Sequence, residues 1–261
     1  MKRRQIPRHV VKEYKSKHSE YCICIPVINE GERIKNQLNR MLALSKEIDV
    51  IILDGGSSDD SLKDNFLKKM NVRSLLVKTD KGKLSAQLRM GYSYALDEGY
   101  KGVITIDGND KDSVDNIPDF IKYLKQGYDY VQGSRFVKGG KAINTPVVRY
   151  FAIKFIHAPF VSLISHYRYT DTTNGFRGYS KKLLMSKDLA IFRDIFDTYQ
   201  LLPYIAYRAA RMGYRITEIP VERKYPKSGG VPTKLNHAGH LSLLRDLFAI
   251  GLSKYNPKKD E

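Results

Sequence analysis

Residues 103–112 have the sequence VITIDGNDKD, in which a short apolar run ends in a polar cluster with three carboxylates. Such a run, bounded by Gly, Asn and Asp, is typical of a buried strand followed by a turn. In open α/β sheets, ligands bind outside the carboxyl ends of the strands. Carboxylates at that place suit a hard divalent cation that also holds substrate phosphates. An acidic surface turn without a ligand is the alternative interpretation.

The same succession of strand, polar turn and helix occurs on both sides of this stretch. Apolar runs before it predict strands at 21–28, 50–53 and 74–77, and each is followed by a polar turn and a helical pattern. Further strands are expected at 128–132 and 216–221. This alternation predicts an α/β fold with a Rossmann-like, mostly parallel sheet flanked by helices.

The domain organisation is expected to be simple, because the 261-residue chain has no internal repeat and no evident linker. We assign a basic N-terminal arm to residues 1–19, the α/β domain to residues 20–230, and a C-terminal extension to residues 231–261. The arm shows no clear periodicity and is expected to be irregular or a loosely packed helix. The extension is expected to contain an amphipathic helix near its start.

The charge of the chain points to anionic partners. A formal net charge of +17 and a pI near 9.7 suit nucleic acid, phosphorylated metabolites or an anionic membrane surface. A basic nucleic-acid-binding α/β protein is therefore one alternative from a different functional class. However, the sequence has no RNP, helix-turn-helix or zinc-finger pattern, and the strand ends are acidic, so we expect no nucleic-acid partner.

The cysteines and apolar segments bear on location. Cys22 and Cys24 are the only cysteines, and their position in an apolar run predicts buried, reduced thiols in the cytoplasm. No signal peptide is visible, and no stretch is expected to reach the length of a membrane span. The nearest candidate, 150–167, is interrupted by Lys154 and His157. A cytoplasmic protein is expected, either free or peripheral on the cytoplasmic face of the membrane.

One amphipathic segment, residues 146–168, allows two interpretations. Its apolar residues are interspersed with Arg, Lys and His, a pattern found most often in core helices. The alternative is a helix that rests on a bilayer of anionic lipids and meets a lipid substrate there.

Several nucleotide-binding classes lack their signatures here. There is no GxxxxGK[ST] loop and no GxGxxG after a strand, which argues against P-loop enzymes and dinucleotide oxidoreductases. A nucleotidyltransferase would carry a Gly-rich basic signature after its first strand, and this chain does not. The motifs that are present, in order, are IPVINE (25–30), ILDGGS (52–57), KGK (81–83), IDGN (106–109), GSRF (133–136), DTTNGFRGY (171–179) and IPVER (219–223).

In this order and spacing, the motifs resemble those of inverting family 2 glycosyltransferases of the GT-A fold, especially the dolichyl- and polyprenyl-phosphate sugar synthases. The resemblance covers roughly residues 20–230. It implies transfer of a sugar from a GDP- or UDP-linked donor to a polyprenyl or dolichyl phosphate. The alternative acceptor is a saccharide hydroxyl, as in the synthesis of cell-surface polysaccharides.

The resemblance also implies roles for residues on the donor side. Pro26, Val27 and Glu30 would line the nucleoside pocket and Asp54 would contact the base, with Lys83 belonging to the same donor-binding set. The family usually has two adjacent carboxylates where this chain has an Asp followed by a Gly. Base recognition would therefore depend on a single acid.

At the opening stretch, the resemblance implies that Asp107 binds a Mg²⁺ or Mn²⁺ ion that bridges the donor diphosphate. Asn109 occupies the second ligand position, where the family usually has a carboxylate, and an amide brings no charge. Either Asp110 supplies the second acid, or the metal binds more weakly and Lys111 supplies positive charge. We expect weaker metal binding, with partial help from Asp110.

The later motifs would serve the transfer step. Arg135, and Arg223 or Lys224, would neutralise phosphate charge, while Asp171 and Arg177 would shape the place where donor sugar and acceptor meet. A phosphate acceptor is already an anion, whereas a hydroxyl acceptor needs a general base. No such base is evident after the GSRF motif, which favours the phosphate acceptor, as do the basic loops at 138–141 and 223–234.

Overall fold

The computed structural model describes residues 4–227 and 237–258, and side chains in the second range from residue 242 onward. Ten strands are named: β1 His9–Glu13, β2 Tyr21–Val27, β3 Asp49–Asp54, β4 Ser74–Lys78, β5 Gly102–Thr105, β6 Tyr130–Ser134, β7 Lys141–Ile143, β8 Arg177–Ser180, β9 Ile216–Pro220 and β10 Glu222–Lys224.

The helices lie mostly between the strands. They are α1 Glu32–Arg40, α2 Asp64–Lys69, α3 Leu84–Asp97, α4 Ile117–Lys125, α5 Val147–Phe151, α6 Ala158–Ser165, α7 Lys181–Leu184, α8 Leu201–Arg211 and α9 His237–Gly251. A π-helical segment, Ala152–His157, joins α5 to α6, so that these three segments form one continuous helix. Short 3₁₀ turns occur at Leu44–Lys46, Asp60–Leu62 and Val114–Asn116.

The central sheet has eight strands in the order β1-β4-β3-β2-β5-β8-β6-β9. Parallel pairing joins β4, β3, β2 and β5, and also joins β6 to β9. The edge strand β1 and the inner strand β8 run antiparallel to their neighbours. The α/β fold with a mostly parallel sheet flanked by helices, expected from the sequence, is confirmed.

Alternating side chains divide the core into two layers, one on each face of the sheet. In β2, Cys22 and Cys24 face one layer, with α3 and α8, whereas Ile23 and Ile25 face the other, with α1 and α4. Successive strand residues point to opposite faces, so a strand covered on both sides must be apolar throughout. Both cysteines are free and buried, as expected, and burial raises the pKa of the Cys22 thiol.

The N-terminal segment differs from the irregular arm or loosely packed helix expected. Residues His9–Glu13 form β1, which pairs antiparallel with β4 along its whole length. Most side chains of β1 are exposed, including successive residues that point to opposite faces of the strand. The strand therefore contributes backbone pairing to the sheet edge and few core side chains.

The helix Val147–Ser165 differs from the core helix favoured above. Six large apolar side chains along it are more than half exposed: Val147, Val148, Phe151, Phe155, Ile156 and Leu163. By length and composition it is also the one helix among the described residues that could span a membrane, a test that core helices of soluble proteins also pass. The expectation that no stretch reaches that length is therefore wrong.

The C-terminal helix α9 packs against α6 and α8. Leu247 and Ile250 are buried in the core layer of these helices, and the rings of Phe160 and Phe248 lie 5.0 Å apart. The boundary assigned at residues 230 and 231 lies outside the described residues.

Candidate active site

The sheet topology brings the sequence motifs to one edge. The parallel strands β2, β3 and β5 all end there, and β6 and β9 end on the same side. Because β8 is antiparallel to both β5 and β6, the loop before it, residues 171–176, lies at that edge as well. Motifs that are distant in sequence therefore converge at the carboxyl ends of the parallel strands.

Arg223 joins the two acids that flank the opening turn. Its guanidinium donates to Asp107 Oδ2 at 3.0 Å and to Asp112 Oδ2, and also to Asn174 Oδ1 at 3.3 Å. Burial alone would lower the pKa of Arg223, but the adjacent Asp112 and Asp107 raise it. Burial raises the pKa of Asp112 against the opposing effect of Arg223. The sequence left Arg223 and Lys224 as alternatives on a loop; both lie in strand β10, where Arg223 reaches the site and Lys224 is exposed.

Gly175 is required beside Asp107. A Cβ at position 175 would lie 2.3 Å from Asp107 Oδ1, far inside van der Waals contact. The loop before β8 thus approaches the carboxylate closely only because residue 175 has no side chain.

The two other candidate metal ligands have different surroundings. Asn109 Oδ1 is buried and has no hydrogen-bond partner among the described residues, as expected of an oxygen that awaits a ligand. Asp110 instead accepts from Arg40 Nη2 at 2.5 Å, and its N–H donates to Gln37 Oε1 at 2.9 Å. Asp110 has a φ of 58°, a left-handed conformation that directs it toward α1. In this structure, Asp110 is engaged with α1 and Asn109 is not.

The donor set for a cation is small. Among the described residues, no group of three or more His, Cys, Asp or Glu side chains is arranged to hold a metal. Asp107 and Asn109 offer one carboxylate and one amide oxygen, and Mg²⁺ in nucleotide sites often has only one or two carboxylates beside the phosphates. The residues therefore fit a divalent cation that the substrate helps to bind.

Arg135 and Asp171 form a buried bidentate pair. Arg135 Nε donates to Asp171 Oδ2 at 2.6 Å and Nη2 donates to Oδ1 at 2.9 Å. Although burial would raise the pKa of Asp171, the Arg135 guanidinium keeps it below its usual value. Glu218 accepts from the N–H groups of Thr170 and Asp171, and burial raises its pKa to about 6. The charge of Arg135 is largely neutralised within the protein.

Arg177 supports the loop rather than facing ligand space. It is fully buried and donates to the backbone carbonyls of Thr172, Asn174 and Leu202. A guanidinium that satisfies three backbone acceptors fixes the shape of the 171–176 loop. Its contribution to the site is therefore positional.

The ends of β2 and β3 form the opposite half of the site. Asp54 Oδ1 accepts from the N–H groups of Gly56 and Ser57, which fixes the turn after β3. Gln87 Nε2 donates to the carbonyls of Val27 and Leu53, both at 2.9 Å, and so ties the two strand ends together.

The other residues that the resemblance assigns to donor binding lie around these strand ends. The Pro26 carbonyl accepts from Gly108 N–H at 3.3 Å, which connects β2 to the turn after β5. Glu30 is paired with Arg33 at 2.8 Å. Lys83 directly precedes α3, and its ammonium lies 5.8 Å from the centre of the Tyr199 ring.

A cationic cluster around Tyr225 was missed in the sequence. Arg149 Nη1 donates to the Tyr225 hydroxyl at 3.0 Å, and the ring is also approached by Lys111 at 4.9 Å and Arg223 at 5.9 Å. Burial would raise the pKa of Tyr225, but Arg223 and Arg149 lower it overall. The only indication in the sequence was that Tyr225 follows Arg223 by two residues. Such a spacing is too common to predict the cluster.

The exposed helix connects directly to the site. His157, at the end of the π-helical segment, is within 2.6 Å of Thr172 Oγ1 through its Nδ1 atom. Burial lowers the pKa of His157 to about 4, so the ring is neutral at pH 7. π-Helical turns frequently occur at functional sites, and this one turns a polar side chain toward the 171–176 loop.

Comparison with known proteins now identifies the family. The family model for glycosyl transferase family 2 matches residues 22–198. The chain belongs to this family. It is a family 2 glycosyltransferase, as the resemblance in the sequence implied.

Characterised relatives are similar over most of their length. An undecaprenyl-phosphate mannosyltransferase of Micrococcus luteus is 28% identical over 215 residues, which cover 79% of this chain and 87% of that protein. A polyprenol monophosphomannose synthase of Mycolicibacterium smegmatis is 24% identical over 76% of this chain and 75% of its own length. Relatives of this family 2 glycosyltransferase thus include enzymes named for polyprenyl-phosphate acceptors.

Solved structures support the fold. Glucosyl-3-phosphoglycerate synthase from Mycobacterium tuberculosis, in complex with Mn²⁺, uridine diphosphate and phosphoglyceric acid, superposes with a TM-score of 0.62. The match covers 92% of this chain and 80% of that one at 15% sequence identity. At this identity the similarity establishes the GT-A fold of the family 2 glycosyltransferase.

Proposed function

We propose that this family 2 glycosyltransferase transfers a hexose, with inversion, from a GDP- or UDP-linked donor to a polyprenyl or dolichyl phosphate. The observation that carries the proposal is the cationic cluster of Lys111, Arg149 and Arg223 around Tyr225. It lies beside Asp107 at the sheet edge and next to an exposed apolar helix. Cations suit two phosphorylated substrates, and an apolar surface suits the chain of a lipid. The names of the two relatives agree with mannose as the hexose and a polyprenyl phosphate as acceptor.

The donor would occupy the edge formed by β2, β3 and β5. In this proposal Pro26, Val27 and Glu30 line the nucleoside pocket, and Asp54 accepts hydrogen bonds from the base. The position of Asp54 supports this role. Its side chain is buried at the end of β3, and Ser57 N–H already donates to one of its carboxylate oxygens. Lys83, at the start of α3, would lie on the phosphate side of this pocket.

A Mg²⁺ or Mn²⁺ ion, where bound, would be held by Asp107 and Asn109 together with the donor diphosphate. Such an ion would stabilise the negative charge that develops on the leaving nucleoside diphosphate. The buried oxygen of Asn109 supports this assignment, and the engagement of Asp110 with Arg40 argues against Asp110 as a ligand.

The chemistry requires charge stabilisation more than proton transfer. An acceptor phosphate attacks C1 of the sugar from the face opposite the leaving group, which inverts the configuration. Asp107 and Asp112 are paired with Arg223 and Asp171 is paired with Arg135, so each acid is a poor general base. A phosphate nucleophile needs no base, which favours the lipid phosphate over a saccharide hydroxyl.

The exposed helix would place the enzyme on the membrane. Its apolar side chains would enter the interfacial region of the bilayer, while the exposed Lys154 on the same helix would meet anionic headgroups. We place the enzyme on the cytoplasmic face of the membrane as a peripheral protein. The acceptor phosphate would then reach the cluster around Tyr225 without leaving the bilayer.

A transfer assay with matched acceptors tests the function. The enzyme is incubated with GDP-mannose, UDP-glucose and related donors, with either a polyprenyl phosphate or the corresponding polyprenol that lacks the phosphate. We expect transfer to the phosphate only, with calorimetry identifying the nucleotide that binds. Transfer to the polyprenol or to a saccharide would contradict the proposed acceptor. If none of the sugar nucleotides binds, the proposed class of donor would be contradicted.

A further inference from the structure

Asp54 is held at the end of β3 by donors that all reach the same carboxylate oxygen. Its Oδ1 atom accepts from Gly56 N–H at 3.2 Å, from Ser57 N–H at 2.8 Å and from the Ser57 hydroxyl at 2.7 Å. Three donors are enough to occupy the lone pairs of one carboxylate oxygen. The Oδ1 atom therefore belongs to the turn after β3 and is not available to a ligand.

The second carboxylate oxygen of Asp54, Oδ2, is not used by the turn. None of the described residues donates a hydrogen bond to it, although the side chain is buried. Buried polar atoms nearly always have a hydrogen-bond partner, so an unpaired acceptor at the carboxyl end of a parallel strand points to a ligand. Asp54 thus offers one acceptor atom to a ligand, rather than the two of a free carboxylate.

The residue after Asp54 does not supply a second acceptor. Position 55 is a glycine, and a Cβ there would lie 2.9 Å from Gln87 Nε2. Gln87 Nε2 is held in place, because it donates to the last carbonyls of β2 and to the Leu53 carbonyl of β3. An acid at position 55, which the family usually has, would displace Gln87 and separate the two strand ends.

Other acceptors near these strand ends are also in use. The Val27 carbonyl accepts from Gly55 N–H at 2.8 Å and from a side-chain amide at 2.9 Å. Asn29 Oδ1 accepts from Ser58 N–H at 2.8 Å, which joins the turn after β2 to the turn after β3. This leaves Asp54 Oδ2, among the described atoms of the two strand ends, as a charged acceptor that no intramolecular donor occupies.

Nucleobases differ in the number of donors that they present to a carboxylate. Guanine has two neighbouring donors, N1–H and the N2 amino group, which match both oxygens of one carboxylate. Uracil has a single donor, N3–H, between two carbonyl oxygens. A site with one free acceptor atom would leave a guanine donor unpaired on binding, whereas it satisfies uracil N3–H. An unpaired donor in a binding site weakens binding, so such a site discriminates between the two bases.

We propose that the site binds a uridine nucleotide in preference to a guanosine nucleotide, with Asp54 Oδ2 accepting from uracil N3–H. Because the carboxylate is charged, this hydrogen bond is stronger than one between neutral groups. The inference rests on the proposed function, since it requires a nucleotide-sugar donor at the ends of β2 and β3. It narrows the donor class named there to UDP-linked sugars.

Calorimetry with UDP, GDP and CDP in the presence of Mn²⁺ tests the inference on the wild-type protein. We expect UDP to bind at least about tenfold more tightly than GDP, since guanine leaves one donor unpaired. Equal or tighter binding of GDP would overturn the inference and leave the proposed function standing. If none of the three nucleotides binds, both would be overturned.

Asp54→Asn exchanges the free acceptor for a donor and keeps the shape of the side chain. The N–H groups of Gly56 and Ser57 require an oxygen at the Oδ1 position, so the amide nitrogen takes the place of Oδ2. A donor at that place opposes uracil N3–H but matches cytosine N3, which is an acceptor. We expect the ratio of UDP affinity to CDP affinity to fall by about tenfold or more relative to the wild type.

Asp60→Asn is the matched control, because it removes the same charge from an exposed side chain of the following 3₁₀ turn. We expect it to leave the affinities for UDP, GDP and CDP unchanged. An unchanged ratio of UDP to CDP affinity in Asp54→Asn, or the same fall in Asp60→Asn, would overturn the role of Asp54 in base selection. Thermal unfolding monitors whether Asp54→Asn is folded. If it is not, the wild-type comparison of UDP with GDP decides the inference.

Discussion

At the scale of single residues, Arg223 is the central organiser of the site. It holds Asp107 and Asp112 at once and contacts Asn174 on the neighbouring loop. A planar guanidinium can satisfy several acceptors in fixed directions, which a lysine cannot do. The acids at the end of β5 therefore have defined positions before a donor arrives.

Asp107 and Asp110 are expected to differ in importance. Asp107→Ala removes the carboxylate that we propose faces the donor and leaves Arg223 with one acid fewer, so we expect kcat/KM to fall by roughly 100-fold or more. Asp110→Ala loosens the loop only through Arg40, and a loss below about tenfold is expected. Steady-state kinetics of the two variants provide the comparison. Equal losses would assign Asp110 to the cation site.

Glu218 gives a prediction about pH and stability. Its pKa is raised from 4.5 to about 6 by burial, so the native state binds its proton more tightly than the unfolded chain does. Its stabilising contribution is complete below pH 4.5 and is lost as the pH rises through 6, a change of about 2 kcal/mol. Urea unfolding of the wild type and Glu218→Gln at pH 4.5 and 7 measures it. The wild type is expected to lose stability relative to the variant, and parallel pH profiles would contradict this.

At the scale of elements, the helix Val147–Ser165 carries the membrane prediction. Replacing Phe151 and Phe155 by Ser removes two stacked, exposed rings. We expect the double variant to lose most of its binding to vesicles that contain anionic lipid, in a sedimentation assay, while still binding nucleotide. Replacing the exposed Val10 and Ile195 on other surfaces is the matched control. Loss of vesicle binding in both variants would show that this helix has no special role.

Hydrophobic periodicity predicted the buried strands correctly. It did not predict that the N-terminal segment forms a strand or that the helix within residues 146–168 is exposed. Continuous apolar runs such as β2 and β3 occur only where both faces are covered, so the sequence identifies them. The sequence of β1 has no clear apolar periodicity, because its side chains are mostly exposed. The strand is instead held by backbone hydrogen bonds to β4. An amphipathic helix has the same periodicity whether it covers a core or a bilayer, so residues 146–168 could not be assigned from sequence alone.

The same limit applies to the site. Motifs located Asp54 and Asp107 at strand ends, because the turn after a buried strand is recognisable locally. The cluster around Tyr225 depends on residues from three distant segments that only the folded sheet brings together. Likewise, no local pattern around Arg135 or Asp171 indicates that the two side chains form an ion pair.

At the scale of the whole molecule, the net charge of +17 predicts a dependence on salt. Counterions screen charges over about 10 Å at 0.1 M ionic strength and over shorter distances at higher salt. Raising NaCl is therefore expected to slow the association of nucleoside diphosphates, with a smaller effect on their dissociation. Stopped-flow binding with a fluorescent nucleotide measures both rates. An association rate that does not change with salt would exclude electrostatic steering.

The place of β8 in the sheet has a consequence for synthesis on the ribosome. The strands β2 to β5 pair with one another, so the half of the sheet that we propose binds the donor can form once residue 105 has emerged. By contrast, β6 pairs with β8 and β9, both of which are translated after it. The nascent chain can thus assemble the half formed by β2 to β5 early, whereas the half that carries Arg135 waits for the strands that follow.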